Sequence, residues 1–160
     1  GNGIFGSQQI ISINADGASN VWAEDIDNDN LVDVLSSSLY DNKVAWYKNL
    51  GSGSFSAEQL ISGNAAFATY ATTANMDNDS LMDVVYRKGS NMVWQKNLGN
   101  GNFSPETYIN TSTSGYYYAC IDLDNDNDTD IIVPSWGTDT LYWQENLGNG
   151  IFGPKQVITT

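Results

Sequence analysis

Residues 44–55 read VAWYKNLGSGSF, and the pattern returns as MVWQKNLGNGNF at 92–103 and LYWQENLGNGIF at 141–152. The tryptophans step by 48 and 49 residues, and the closing GxGxF turn has a further copy, GNGIF, at 1–5. A period of about 49 residues, held in one register by several markers, is the signature of a protein built from stacked or radial repeats. Each tryptophan lies in a short apolar run suited to a strand, and the Gly-rich turn supplies the left-handed backbone that reverses it.

Upstream of each tryptophan lies an acidic run: DIDNDNLVD at 25–33, NMDNDSLMD at 75–83 and DLDNDNDTD at 122–130. Carboxylates and amides alternate there, as a hard cation requires when one short loop supplies most of its oxygen ligands. Carboxylates so close repel strongly unless a cation intervenes, so the pattern predicts up to three Ca2+ sites. An EF-hand is excluded, because its twelfth loop position needs a bidentate Glu between helices and this chain has Ser36, Tyr86 and Val133. The Asn-x-Ser/Thr triplets at Asn78 and Asn127 fall inside the acidic runs and read as products of loop composition.

Strand-like segments at 21–24 and 34–37 flank the first acidic loop, and 84–87 and 131–134 are the later equivalents of the second. A third strand is predicted over 43–50. A fourth follows the glycine turn at 58–61, 107–110 and 155–158, with an extra copy at 8–11. No segment sustains apolar spacing at three and four residues, so the expected class is all-β.

The acidic loops followed by VDVL, MDVV and TDII, the W-x-x-N-L-G strands and the GxGxF turns together resemble the FG-GAP or VCBS-type repeats, the blade unit of integrin α-chain propellers. The resemblance implies β-propeller-type blades: three four-stranded repeats at 13–62, 63–111 and 112–160, plus an extra N-terminal outer strand within 1–12. It implies side-chain ligands at Asp25, Asp27, Asp29 and Asp33, at Asn75, Asp77, Asp79 and Asp83, and at Asp122, Asp124, Asp126 and Asp130. Backbone carbonyls would come from Leu31, Leu81 and Asp128. The family loop usually has glycine at its sixth position, where this chain has Asn30, Ser80 and Asn127. Ser takes the left-handed conformation less readily than Asn, and the second loop begins with Asn75 in place of Asp, so that loop is expected to be the weakest.

Composition bounds the partners. With 160 residues, 41% of them hydrophobic, the chain suits one repeat domain. Nineteen acidic residues against six basic give a formal charge of −13, which opposes nucleic acid and anionic lipid surfaces alike. No run approaches the ~18 apolar residues of a membrane span, so direct membrane insertion is not expected. There is no histidine, which removes histidine-based triads, and the single cysteine, Cys120, has no partner for an internal disulfide. Cys120 aligns with Ala23 and Thr73 on the strand entering the loop and reads as a small buried residue. Loops of this type suit the calcium levels outside cells, so an extracellular or cell-surface location is expected.

The repeating Trp46, Trp94 and Trp143 are read as packing between repeats. Aromatics that do not repeat, Trp22, Tyr40, Tyr117 and Trp136, are the candidates for ligand binding. The expected function is a calcium-binding extracellular propeller module for adhesion or ligand recognition, with a protein or glycan as ligand and carbohydrate the first class to test. The alternative is a structural spacer or self-assembling scaffold. No enzyme is expected, since Glu24, Glu58, Glu106 and Glu145 show no catalytic pairing motif. Three repeats are too few for a ring of four to eight blades, so closure calls for further blades from a longer chain or for a homo-oligomer.

Overall fold

The computed structural model describes residues 2–109 and 115–159, which form three four-stranded antiparallel sheets, one in each repeat. The first contains β1 (Ala18–Glu24), β2 (Asp33–Ser38), β3 (Lys43–Tyr47) and, after a small ribbon of β4 (Asn49–Gly51) and β5 (Ser54–Phe55), β6 (Gln59–Ser62). The second contains β7 (Ala71–Ala74), β8 (Asp83–Lys88), β9 (Asn91–Gln95) and β12 (Thr107–Ile109), with its ribbon of β10 (Asn97–Gly99) and β11 (Asn102–Phe103). The third contains β13 (Ala119–Ile121), β14 (Asp130–Ser135), β15 (Thr140–Gln144) and β16 (Gln156–Thr159). A single bridge, Asn146 to Phe152, marks its ribbon. No α-helix is present among the described residues, as the all-β expectation required.

Side-chain alternation explains how the sheets stack. Leu35 lies opposite both Trp22 and Trp46, so these three share one face of the first sheet. Leu35, Val44 and Trp46 meet Val84, Tyr86 and Val93 of the second sheet in one core. The neighbouring residues Val85, Met92 and Trp94 point the other way, into a second core with Ile131, Val133 and Tyr142 of the third sheet. The second sheet is therefore covered on both sides. That is why β8 carries the unbroken apolar run Val84-Val85-Tyr86 where a half-exposed strand would alternate. Each core joins successive sheets, and neither joins the third sheet to the first.

Two expectations need correction. The run at 43–50 is interrupted at Lys48, so Asn49–Gly51 leaves β3 and pairs with Ser54–Phe55 instead. The bulged Gly51-Ser52-Gly53 turn forces this departure, with φ of 81°, 55° and 77° at three consecutive residues. The extra N-terminal strand is absent: residues 2–17 contain no strand. In each repeat the fourth strand pairs with the third strand of its own sheet, and among the described residues 8–11 have no such partner. Ile11, Ser12 and Ala15 share a groove with Val34, Ser36 and Tyr47 on the first sheet's outer face.

Candidate cation loops and aromatic cavity

Each acidic loop joins the first two strands of its sheet and is closed by its last carboxylate. Asp33 is fully buried, and its two oxygens accept backbone N–H bonds from Ile26 at 3.1 Å and Asn49 at 2.7 Å. Asp83 does the same with Met76 and Asn97, and Asp130 with Leu123 and Asn146. The ninth loop position thus clamps the acidic loop to the ribbon that follows the tryptophan strand. Burial pushes the Asp33 and Asp130 carboxyls above their ordinary value and Asp83 up to about 6, against the pull of these N–H donors.

The first position organises the turn. Asp25 accepts N–H bonds from Asp29 and Asn30, and Asp122 accepts them from Asn125, Asp126 and Asn127. Asn75 instead donates its amide to the Asp79 carbonyl, so the second loop is wound differently. Asn30 and Asn127 have φ of 69° and 76°, whereas Ser80 keeps an ordinary backbone. At the seventh position the Leu31, Leu81 and Asp128 N–H groups donate to Asp29, Asp79 and Asp126.

The loops differ most at a residue outside them. Lys48, two residues after Trp46, places its ammonium between Asp27 and Asp29, and Lys96 does so with Asp77 and Asp79. The hydrogen bond from Lys48 holds Asp29 below its ordinary value, and the carboxylates raise both lysines. In the third repeat the same position is Glu145. Its carboxylate comes together with Asp124 and Asp126, while Asp122, Asp124 and Asp130 form an overlapping trio. Asp25, Asp27 and Asp29 also converge, but around Lys48. No such trio forms in the second loop among the described residues. Among the described residues, only the third loop gathers its carboxylates without an internal cation, and the W-x-K/E position carried that signal in the sequence.

The candidate aromatics separate. Tyr117 and Trp136 line one cavity of about 440 Å3 together with Tyr116, Pro134, Asp139 and Leu141. It lies at the end of β14 opposite the acidic loop, between the turn at Trp136–Thr138 and the segment entering β13. The Tyr116 and Trp136 rings are 6.5 Å apart, and Tyr117 meets Tyr70 edge-on at 5.6 Å. Trp22 and Tyr40 are not part of this cavity. Trp22 donates its Nε1–H to Thr73 Oγ at 2.9 Å, a bond between the first two sheets, and Tyr40 lies over Gly17. Sequence reasoning missed Arg87, whose guanidinium lies 4.8 Å from the Tyr116 ring centre. Its Nε and Nη1 are buried without a hydrogen-bond partner, and burial lowers its pKa. Arg87 and Tyr116 line an adjoining cavity of about 460 Å3 with Leu39 and Phe67. Cys120 is partly buried beside Trp22, Tyr70 and Tyr118, and burial pushes its thiol up to about 12.

No curated protein matches the chain. A solved structure titled for the specific recognition of non-reducing terminal N-acetylglucosamine by an Agrocybe aegerita lectin has a similar fold, with a TM-score of 0.66 at 14% identity. The match covers 88% of this chain and 38% of the lectin, so this chain spans well under half of that protein's length. The FG-GAP-like repeat matches residues 25–86 and again 75–133, more than half of the sequence and in the register of the loops and tryptophans; the chain belongs to the FG-GAP-like repeat family.

Proposed function

We propose that this chain is a calcium-stabilised propeller segment that recognises an extracellular ligand, carbohydrate in the first instance, through the cavity around Tyr116, Tyr117 and Trp136. The observation that carries the reading is the gathering of exposed aromatic rings beside a guanidinium with two unpaired N–H groups. Flat rings stack on the apolar faces of sugars, and the Arg87 guanidinium against Tyr116 holds that ring in place. The fold shared with an N-acetylglucosamine-recognising lectin agrees with this ligand class.

Calcium is assigned to the third loop, where Asp122, Asp124, Asp126, Asp130 and Glu145 supply hard oxygen donors. When bound, the ion neutralises that cluster and ties the ribbon after β15 to the loop before β14. In the first two loops a cation must displace Lys48 or Lys96, which makes those sites weaker. No catalytic role is assigned: Glu58 and Glu106 are engaged by Lys43 and Lys88, and Glu145 by Gln156 and the third loop.

A glycan array probed in calcium, with Trp136→Ala and Tyr117→Ala as controls, tests the reading. Binding that both substitutions weaken at least tenfold supports it. Unchanged binding in both variants moves the site elsewhere, and no glycan bound by the parent chain favours the scaffold role.

A further inference from the structure

We propose that the cavity at Arg87 seats a carboxylate, and that the ligand of the adjoining aromatic cavity is an acidic glycan, one that carries a uronic acid residue. This names the class of ligand and rests on the carbohydrate reading above for the sugar rings. The charge is read by Arg87 and Thr69, which do not line the aromatic cavity.

The Arg87 cavity, of about 460 Å3, draws its walls from all three repeats. Leu39 comes from the turn after β2, Phe67 and Thr69 from the segment entering β7, Arg87 and Ser90 from the β8–β9 hairpin, and Tyr116 from the segment entering β13. It thus sits where three successive repeats meet, at the end of the sheets opposite the acidic loops.

Arg87 is a cation without a counter-charge. Lys43, Lys48, Lys88 and Lys96 each pair with a carboxylate, whereas none pairs with Arg87, and no acidic residue lines its cavity among the described residues. Its Nε and Nη1 are buried and make no hydrogen bond, and Thr69 Oγ1 in the same lining is buried and unpartnered as well. Folded proteins pair nearly all such groups, so three unmet in one cavity mark a missing acceptor. Nη2 has no partner either, and it is the guanidinium nitrogen that remains accessible. One carboxylate oxygen meets Nη2. Because no hydrogen bond holds the guanidinium, turning it breaks none, and the turn brings a second N–H to the other oxygen. The planar fork of one guanidinium matches one planar carboxylate. A dianion would need further cations, and this lining has none in a chain of formal charge −13.

Phe67 argues for a sugar as the carrier of that carboxylate. Its φ of 56° is a left-handed conformation that a bulky residue rarely adopts, and its ring is 64% exposed. The turn is fixed from the first repeat, where Asn42 accepts the Phe67 N–H at 3.2 Å through Oδ1 and the Ala65 N–H at 2.8 Å through its carbonyl. The fold thus keeps an aromatic ring exposed at the wall of a cavity that holds an unpaired cation. Phe67 and Tyr116 give flat apolar faces for a pyranose ring beside the seat of its acid group. A uronic acid carries its carboxylate directly on the ring, which matches a guanidinium 4.8 Å from the Tyr116 centre. Asp139 lines the aromatic cavity and repels a charge there, so the ligand is oriented with its acid toward Arg87.

Calorimetric titration with short oligogalacturonates, oligomannuronates and hyaluronan oligosaccharides, each beside its methyl ester, reads the charge directly, because the ester keeps the rings and removes the charge. For at least one pair the parent chain is expected to bind the acid at least tenfold more tightly than the ester. Arg87→Met is expected to bring that ratio to about one, and Arg87→Lys to reduce it, since an ammonium keeps the charge and loses the fork. Thr69→Val keeps the side-chain shape, removes the hydroxyl and is expected to narrow the ratio at least threefold. A ratio of one for every pair in the parent, or a ratio that persists in both Arg87 variants, overturns the proposal. The carbohydrate reading survives that result where Trp136→Ala still weakens binding, so the two fail separately. No binding of any acid or ester overturns both. Arg87-dependent binding of a triglutamate peptide, with no uronate bound, places a protein partner in the cavity and overturns the glycan class.

Discussion

The Asn97 side-chain amide donates to the Ile26 carbonyl of the preceding sheet at 2.7 Å and to Met82 of its own repeat at 3.1 Å, while its Oδ1 accepts from Gly99. One fully buried side chain thus ties an acidic loop, the neighbouring acidic loop and a ribbon. Asn97→Ala is expected to strand two carbonyls and to destabilise by about 2–3 kcal/mol. Asn49→Ala breaks only the bond to Val32 and the turn bond to Gly51, and is expected to cost about 1 kcal/mol. Urea denaturation of the two variants measures the contrast, and equal losses would remove the role given to the cross-sheet bond.

Gly101 and Gly89 both have positive φ, 75° and 63°, but only Gly101 faces an obstacle, the Trp46 ring. Alanine at Gly89 is expected to cost about 1 kcal/mol for the left-handed backbone alone. Alanine at Gly101 adds a collision with a buried ring and is expected to cost about 1–3 kcal/mol more. Thermal melts of the pair separate backbone strain from packing between sheets.

The repeat made most of this fold legible, because period, turn glycines and apolar runs are local signals that tertiary packing then reinforces. The sequence placed β2, β8 and β14 to within a residue or two, since each is bounded by a loop aspartate. The strand at 8–11 was misread because a strand needs a partner, and pattern alone does not say whether one is at hand. The acidic runs announced a cation, but whether that cation is a metal or Lys48 depends on a residue brought in from β3's end. Arg87 stayed hidden because nothing local distinguishes it from a surface arginine; only the approach of Tyr116, twenty-nine positions on, reveals it. Trp22 and Tyr40 show the converse, residues that look free in sequence and are held by Thr73 and the Gly17 turn.

Glu106 supplies a pH signature away from the loops. Burial alone would raise its carboxyl, but hydrogen bonds from Lys88 at 2.5 Å, Tyr86 at 2.7 Å and Ser62 hold it below the ordinary value near 4.5. A carboxyl with a lower pKa in the fold than in the unfolded chain stabilises above the unfolded value, and that contribution is lost as pH falls through the folded one. Glu106→Gln is expected to lose about 1 kcal/mol at neutral pH and to show a flatter decline in melting temperature below about pH 4.5. A variant whose acid limb overlays that of the parent would contradict the assignment.

Glu145 and Lys96 hold the same repeat position with opposite charge, and exchanging them should move calcium dependence from one loop to another. In the parent chain, chelation is expected to lower the melting temperature and added calcium to restore it, since filling a site at about tenfold its dissociation constant stabilises by ~1.4 kcal/mol. Glu145→Lys places an ammonium among Asp124 and Asp126, as Lys48 stands between Asp27 and Asp29. That variant is expected to melt higher than the parent in chelator and to respond less to calcium, because the lysine now neutralises the cluster. Lys96→Glu leaves Asp77 and Asp79 without their cation and adds a third carboxylate. It is expected to melt lower in chelator and to recover more than the parent when calcium returns. Calorimetric titration counts the ions in each case, with one strong site lost in the first variant and one gained in the second. If both variants bind calcium as the parent does, the lysines are bystanders and the three loops are alike.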